Sequence, residues 1–316
     1  MADQPFLSVV MPVHAGAQWI EATLESVAGG PTDGLEILVI DSSPDDATAT
    51  IVERFADRLP LQLLRRPEVK PWQIKTNMGV EMARADHACI LHQDDVWLPG
   101  RVERVRRWIE GAADAVLHLA PSRLIDRYGR SLGKWTCPLP PERELDPQFL
   151  LQRLLVQNFV SVPAPVFRRS AWLDCGGMDD QLWYTPDWDI WVKLSLGGAI
   201  IYHDEMTTAF RLHGSSLTVT GSRDGAAFRA QMETVLDRHL GQIEPGSRKR
   251  VERLARASID VNVSLAAASG GSAAALASAA GNLLSLGPVG MNRYLRDSRL
   301  GERALSRLRA RMTGAF

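Results

Sequence analysis

The stretch Ala88-Cys-Ile-Leu-His-Gln-Asp-Asp-Val-Trp97 decides how this chain is read. Ala88 to Leu91 is an apolar run of the length expected for a buried parallel strand, and two adjacent carboxylates, Asp94 and Asp95, follow it. From Pro99 a helical pattern opens, with Val102, Val105 and Ile109 on one stripe. Open α/β sheets bind ligands beyond the carboxyl ends of their strands. An unpaired buried carboxylate costs several kcal/mol or shifts its pKa, so two of them there call for a partner. A divalent cation, Mg²⁺ or Mn²⁺, is the usual partner for oxygen-rich sites. The alternative is that Asp94 or Asp95 caps the next helix.

Upstream, the pattern alternates. Phe6 to Met11 reads as a strand ended by Pro12, and Val13 to Ala17 as a turn. A helix follows with Ile20, Leu24 and Val27 on one face, stopped at Gly29-Gly30-Pro31. Leu35 to Ile40, nearly continuous in apolar residues, is a central parallel strand that delivers Asp41 at its end. Ile51, Phe55 and Leu59 mark a helix, Leu61 to Leu64 a short strand, and Thr76 to Arg84 another helix. This β/α alternation predicts a doubly wound, Rossmann-like α/β sheet. The first turn, Pro12-Val-His-Ala-Gly16, lacks G-x-G-x-x-G, which argues against NAD or FAD chemistry, and no P-loop is present.

Downstream, Ala115 to Leu119 reads as a strand, and the Pro-rich segment from Pro121 to Asp146 as a hairpin or long loop over the site. Phe149 to Val156 is helical, and Ala164 to Phe167 begins a strand. Gly176-Gly177 opens a loop of mobile composition. Pro186 suits a first helical turn, which puts Asp187 at a helix N-terminus, where the dipole favours its charged form. Trp188 and Trp191 follow at core spacing. Ile200 to Tyr202 is a strand, and Phe210 to His213 an extended piece. Beyond Gly221 the chain turns Ala- and Arg-rich and reads as a helical appendage, giving a division into 1–221 and 222–316.

Composition narrows the function. A net charge of −1 over 316 residues argues against nucleic-acid binding, which rests on clustered cations. Cys89, Cys137 and Cys175 form no C-x-x-C and no even set, as expected for a reducing cytoplasm, and the N-terminal stretch lacks a basic signal-peptide region. Val261 to Asn292 is uncharged but rich in Ala, Ser and Gly, so it reads as a pair of closely packed small-residue helices around Gly270-Gly271 rather than a membrane span. The arginines from Arg248 to Arg256, and again from Arg293 to Arg311, read as a solvated helix face or a homodimer contact, with peripheral contact at the inner face of an anionic membrane as the alternative.

Six pieces in order carry a resemblance: Ser8 to His14, Ile40 to Asp46, Asn77-Met-Gly79, Leu91 to Asp95, Pro186 to Trp191 and Phe210 to Ser216. Over roughly residues 6 to 217 the chain resembles a family 2 glycosyltransferase of GT-A fold. The resemblance implies inverting, metal-dependent hexosyl transfer from a nucleotide-diphosphate sugar to the hydroxyl of a glycan, lipid-linked or small-molecule acceptor. It implies a nucleotide-binding half over 1–100 and an acceptor-binding half over 101–221. By position it makes Pro12, Val13, His14, Gly16, Asp41, Lys75, Asn77, Gln93, Asp94, Asp95 and Arg211 nucleotide-sugar contacts. Asp94, His92 and His213 become ligands of Mn²⁺ or Mg²⁺, and Asp187 becomes the general base. Trp183, Trp188 and Trp191 are candidates for stacking on acceptor sugars, the last two with core packing as the competing role. For Asp41 the competing role is a helix cap for the turn that follows it. Two departures stand out: His92 replaces the first Asp of the family's Asp-x-Asp, and Pro186 replaces the Glu before the base. They leave open a catalytically inactive nucleotide-sugar-binding or scaffold protein. A nucleotidyltransferase is disfavoured, because Val13 to Gln18 has one Gly and no Lys or Arg.

Overall fold

A computed structural model describes residues 4–269, 272–312 and 314. In chain order the first part comprises β1 (Leu7–Val13), α1 (Ile20–Ala28), β2 (Leu35–Asp41), α2 (Ala47–Glu53), β3 (Leu61–Arg65), α3 (Trp72–Met82) and β4 (His87–Ile90). The middle part comprises β5 (Val96–Trp97), α4 (Arg101–Gly111), β6 (Leu117–Leu119), β7 (Ser122–Ile125), β8 (Ser131–Trp135), α5 (Pro147–Val156), β9 (Val166–Arg168), α6 (Arg169–Asp174), α7 (Pro186–Ser195), β10 (Ile200–Tyr202) and β11 (Thr208–Arg211). Helices then take over: α8 (Leu217–Thr220), α9 (Gly225–His239), α10 (Pro245–Ser269), α11 (Ala273–Ser285), α12 (Gly287–Ser298) and α13 (Leu300–Met312).

The main sheet has the order β10-β6-β9-β4-β1-β2-β3. It is parallel except at β9, which runs antiparallel between β4 and β6. Every residue of β1 is buried, and alternation splits its side chains between two cores. Val9, Met11 and Val13 join Ile37 and Val39 on one face, while Val10 joins Leu38 and Ile40 on the other. This is the mixed, doubly wound sheet expected, and it sets the ends of β1, β2 and β4 side by side. A second sheet, β5-β11-β7-β8, stands beside them and includes the hairpin expected between Pro121 and Asp146.

Several local expectations change. Helix α3 begins at Trp72, about a turn before Thr76, because extended Pro71 suits helix entry. Helix α2 stops before Phe55 and Leu59, which stay buried in the turns after it. Neither Asp94 nor Asp95 caps α4: a strand intervenes, and the cap residue is Gly100 with no side-chain hydrogen bond. The Gly176-Gly177 loop is braced rather than loose, since Asn77 both accepts from Met178 N (2.9 Å) and donates to Met178 O (2.8 Å).

The C-terminal helices share a core with the preceding half. Phe228, Leu236, Leu254 and Tyr294 belong to the same apolar cluster as Leu154, Trp188 and Trp191. Among the described residues no single helix is long and apolar enough to cross a membrane, although α11 and α12, bent by 113°, pass together on length and composition. Helices α10 and α11 pack on each other as the small-residue composition suggests, and Gly270-Gly271 lies outside the described residues.

Candidate active site

A cleft of about 1010 Å³ opens where the ends of β1 and β4 face α7 and the C-terminal helices. That is the upper end of the roughly 300–1,000 Å³ usual for small-molecule sites. Pro12, His14, Lys75, His92, Gln93, Asp94, Asp187 and His213 line it. Val13, Gly16, Asp41, Asn77, Asp95 and Arg211, expected with them, do not.

The wall at the ends of β1 and β4 is stitched from short polar links. The Gln93 side chain accepts from His14 N (2.8 Å) and donates to His14 O (3.0 Å), so it pairs with the turn as another strand would. Ser42 sits within 3.1 Å of the His14 ring, Ala15 N donates to Ser43 Oγ, and Gly16 N donates to Thr48 Oγ1. A Cβ on Gly16 would lie 2.7 Å from Gln93 Oε1, which explains a glycine there. Lys75, buried, donates to Val13 O (2.6 Å) and Ser42 Oγ (2.7 Å), which ties β1 to the loop after β2. Burial lowers its ammonium to about 8, against a smaller raising effect of Asp41.

Three expected contacts are engaged inside the fold. Asp41, fully buried, accepts from Ser43 N and Ser43 Oγ and faces Arg65; the N-cap of the following helix, α2, is Asp46, so Asp41 does not take the competing role of helix cap. Asn77 holds the Met178 backbone and accepts from Trp172 Nε1 (3.1 Å). Arg211 donates Nε–H to Asp94 O (2.7 Å) and Nη1–H to Asp126 O (3.1 Å), and its backbone N–H goes to Asp95 Oδ1 (2.9 Å). The guanidinium therefore shapes the acidic loop from behind.

His92, Asp94 and Asp95 each place a ligand atom within 4.8 Å of the others. His92 Nε2 and Asp95 Oδ2 are buried with no hydrogen-bond partner among the described residues, an arrangement whose chemistry fits a divalent cation. One imidazole and two carboxylates suit Mn²⁺ or Mg²⁺. Burial keeps His92 neutral, the ligating form, by lowering its pKa. Burial and the neighbouring Asp94 charge raise Asp95 well above the ordinary range. Burial would raise Asp94 too, but the hydrogen bond from His213 and the nearby histidines hold it low. His213, expected as a ligand, has Nε2 2.9 Å from Asp94 Oδ2 and stacks on Trp19, so it orients that carboxylate. Asp95 stands in its place in the cluster.

Asp187 occupies the first turn of α7, after Thr185 and Pro186, and lines the same cleft. Burial pushes its carboxyl up to about 6, while backbone N–H groups and the Asn158 amide at 2.9 Å favour the charged form. Asp189 points into the core, where His239 and Arg238 (both 2.8 Å) and Lys193 (2.7 Å) hold it. The two residues a few positions apart thus face different partners, as helical spacing requires. Trp183, on the cleft rim, is 38% exposed and available for stacking, whereas Trp188 is buried and donates to Leu154 O. Sequence reading missed Asn158, Trp19, Asn262 and Arg303, which also line the cleft. The polar Gln157-Asn158 pair that ends the apolar face of α5 was the available signal.

The sequence model described as glycosyl transferase family 2 matches residues 8–171, more than half of the chain. The chain belongs to glycosyl transferase family 2. Among its relatives, an uncharacterized glycosyltransferase of Rickettsia prowazekii is 25% identical over 223 residues, covering 68% of this chain and 67% of that one. An uncharacterized protein of Mycobacterium tuberculosis is 29% identical over 213 residues, covering 63% of this chain and 65% of that one. The chain thus spans about two thirds of the length of these relatives. Among solved structures, residues 1–349 of Staphylococcus aureus TarS, in complex with UDP-GlcNAc, superpose with a TM-score of 0.57 at 16% identity over 83% of each chain. The mannosyltransferase PcManGT of Pyrobaculum calidifontis, in complex with GDP-Man and Mn²⁺, gives 0.57 at 18% identity over 95% of this chain and 88% of that one. At such identities the likeness establishes the fold, which is GT-A with a helical C-terminal region.

Proposed function

We propose that this family 2 member moves a sugar from a nucleotide-diphosphate donor to an acceptor hydroxyl with inversion, using Asp187 as the general base. One observation carries the reading: Asp94 and Asp187 line one cleft, and their surroundings hold the first carboxyl low and raise the second to about 6. A base tuned towards working pH takes a proton efficiently, and a carboxylate kept ionised is suited to a cation. The acceptor hydroxyl would give its proton to Asp187 as its oxygen bonds to the anomeric carbon. The bond from that carbon to the diphosphate breaks on the far side, releasing a nucleoside diphosphate. Pro12, His14 and Gln93 would receive the nucleoside. His92, Asp94 and Asp95 would hold a divalent cation, which when bound offsets the charge of the diphosphate.

The neighbours captured with UDP-GlcNAc and GDP-Man support trying both donor classes here. Exposed Leu276, Leu284 and Val289 on α11 and α12, with Arg293 and Arg296 on α12, support peripheral contact of the tail with an anionic membrane surface, which sedimentation with vesicles tests. The deciding experiment is a thermal-shift and turnover screen of UDP- and GDP-sugars with and without Mn²⁺. A shift with one donor, enlarged by Mn²⁺ and followed by release of nucleoside diphosphate, supports transfer. Binding without turnover supports the scaffold, and no binding of any nucleotide defeats both.

A further inference from the structure

We propose that Asn262 of α10 and Gln157 at the end of α5 are positioning residues for Asp187: through Asn158 they aim the amide that favours its ionised carboxylate. This rests on the transferase reading above for the role of Asp187 as the base, and it makes the C-terminal helices part of the catalytic apparatus.

Each amide in the series has one end occupied, so its other end can point only one way. Arg303 Nη2 donates to Asn262 Oδ1 at 2.9 Å, which leaves Asn262 Nδ2 to donate to Gln157 Oε1, also at 2.9 Å. Buried Ser258, one turn earlier on α10, donates to the same Gln157 oxygen at 3.2 Å. Gln157 Nε2 then donates to the Asn158 carbonyl at 3.2 Å. At Asn158 the Val160 N–H donates to Oδ1 at 3.1 Å, so it is Nδ2 that meets Asp187 Oδ2 at 2.9 Å. A flipped amide at any step would set oxygen against oxygen or N–H against N–H.

Asn158 needs this bracing because regular structure ends before it. Helix α5 stops at Val156, and Gln157 is extended, with φ −159° and ψ 129°. Helix α10 supplies the hold from 105 residues along the chain. The far end of the series is anchored too. Thr136 Oγ1 donates to Glu302 Oε2 at 2.6 Å, and a Cβ at Gly133 would lie 2.8 Å from Ser306 Oγ, so the strand is bare where α13 lands. Among the described residues no charged side chain shifts the Asp187 carboxyl. Burial raises it, and the backbone N–H groups of Trp188 and Asp187 and the Asn158 amide oppose that. The charges around it are spent elsewhere. Lys193 of α7 and Arg238 and His239 of α9 pair with Asp189, and Arg153 of α5 pairs with Asp297. Arg229, Glu233 and Asp237 of α9 pair with one another or with Asp260 and Arg256 of α10. On α6, Arg169 donates to the carbonyls of Val80 and Glu81, and Asp174 is exposed. The neutral amides of Gln157 and Asn262 therefore act on Asp187 by orientation.

The test reads Asp187 directly, by carbon-13 carboxyl NMR of the full chain labelled at aspartate, the resonance being assigned by its loss in Asp187→Asn. Asn262→Ala and Gln157→Ala are each expected to raise the titration midpoint by about half a pH unit, less than Asn158→Ala does. In an Asn158→Ala background Asn262→Ala is expected to add nothing, because the link it acts through is already gone. The acid limb of kcat moves with the midpoint, while KM for the donor is unchanged. A midpoint that either variant leaves in place overturns the proposal, as does an equal further shift in the Asn158→Ala background. If a melting curve shows Asn262→Ala unfolded, Gln157→Ala carries the same test, alone and with Asn158→Ala. If wild type turns over no UDP- or GDP-sugar while the midpoints shift as stated, the transferase reading has failed and the positioning of Asp187 has not.

Discussion

Asn158 Nδ2 donates to Asp187 Oδ2 at 2.9 Å, across the gap between the end of α5 and the first turn of α7. This bond opposes the burial that pushes the Asp187 carboxyl up to about 6. The group is thus set by two opposing influences, and each can be altered separately.

If Asp187 is the base, it must be ionised, so turnover rises with pH through about 6 and levels above it. Asp187→Asn removes the proton acceptor and keeps the shape. The expected loss is about 10³-fold in kcat, with nucleotide affinity unchanged. Steady-state rates across pH with a nucleotide-release assay check both.

Asn158→Ala withdraws a donor from the charged form of Asp187, so the acid limb moves to higher pH, by about one unit. A limb that stays in place would assign it to another group.

Asp94→Ala and His92→Ala each remove a ligand from the proposed cation cluster. Mn²⁺ affinity measured by calorimetry, without substrate, is expected to fall about 10-fold or more in each. His213→Ala leaves all three ligand atoms and removes the 2.9 Å partner of Asp94, so a smaller loss is expected.

Asp189 is fully buried, with His239, Arg238 and Lys193 against it, and those partners outweigh its burial and hold its carboxyl at about 2. The sign follows: with a folded pKa below the unfolded value of about 3.9, its contribution is complete above that value and is lost as pH falls towards 2. Asp189→Ala leaves Lys193 without a carboxylate partner and Arg238 with Asp179 alone, and is expected to destabilise by about 3 kcal/mol at neutral pH, read by urea unfolding.

Gly16→Ala would place its Cβ 2.7 Å from Gln93 Oε1. The amide cannot move without releasing both backbone groups of His14, so a loss of about 1 kcal/mol is expected, together with weaker nucleotide binding. A melting curve with and without UDP or GDP separates the two effects.

Much of the frame was legible in the residues. Runs such as Leu35 to Ile40 are apolar at every step because both faces of a central parallel strand are buried, and that pattern is local. The acidic pair after β4 and Asp187 after Pro186 were readable for the same reason: strand ends and helix starts are marked by neighbouring residues. The antiparallel insertion of β9 was not readable, since Val166 to Arg168 looks alike in either direction.

Residue type and local spacing by themselves determined the alternating α/β frame, the ends of its strands and which polar groups stand there. Only the tertiary structure decided which of those groups face the cleft. Arg211 and Asn77 turn inward because backbone groups far along the chain, at Asp94 and Met178, need partners. Asp95, rather than His213, joins His92 and Asp94 because Trp19 and Ser215 hold the His213 ring where its Nε2 bonds Asp94 Oδ2. The place of α13 came from packing on a bare strand at Gly133, a contact across more than a hundred residues that no local pattern encodes.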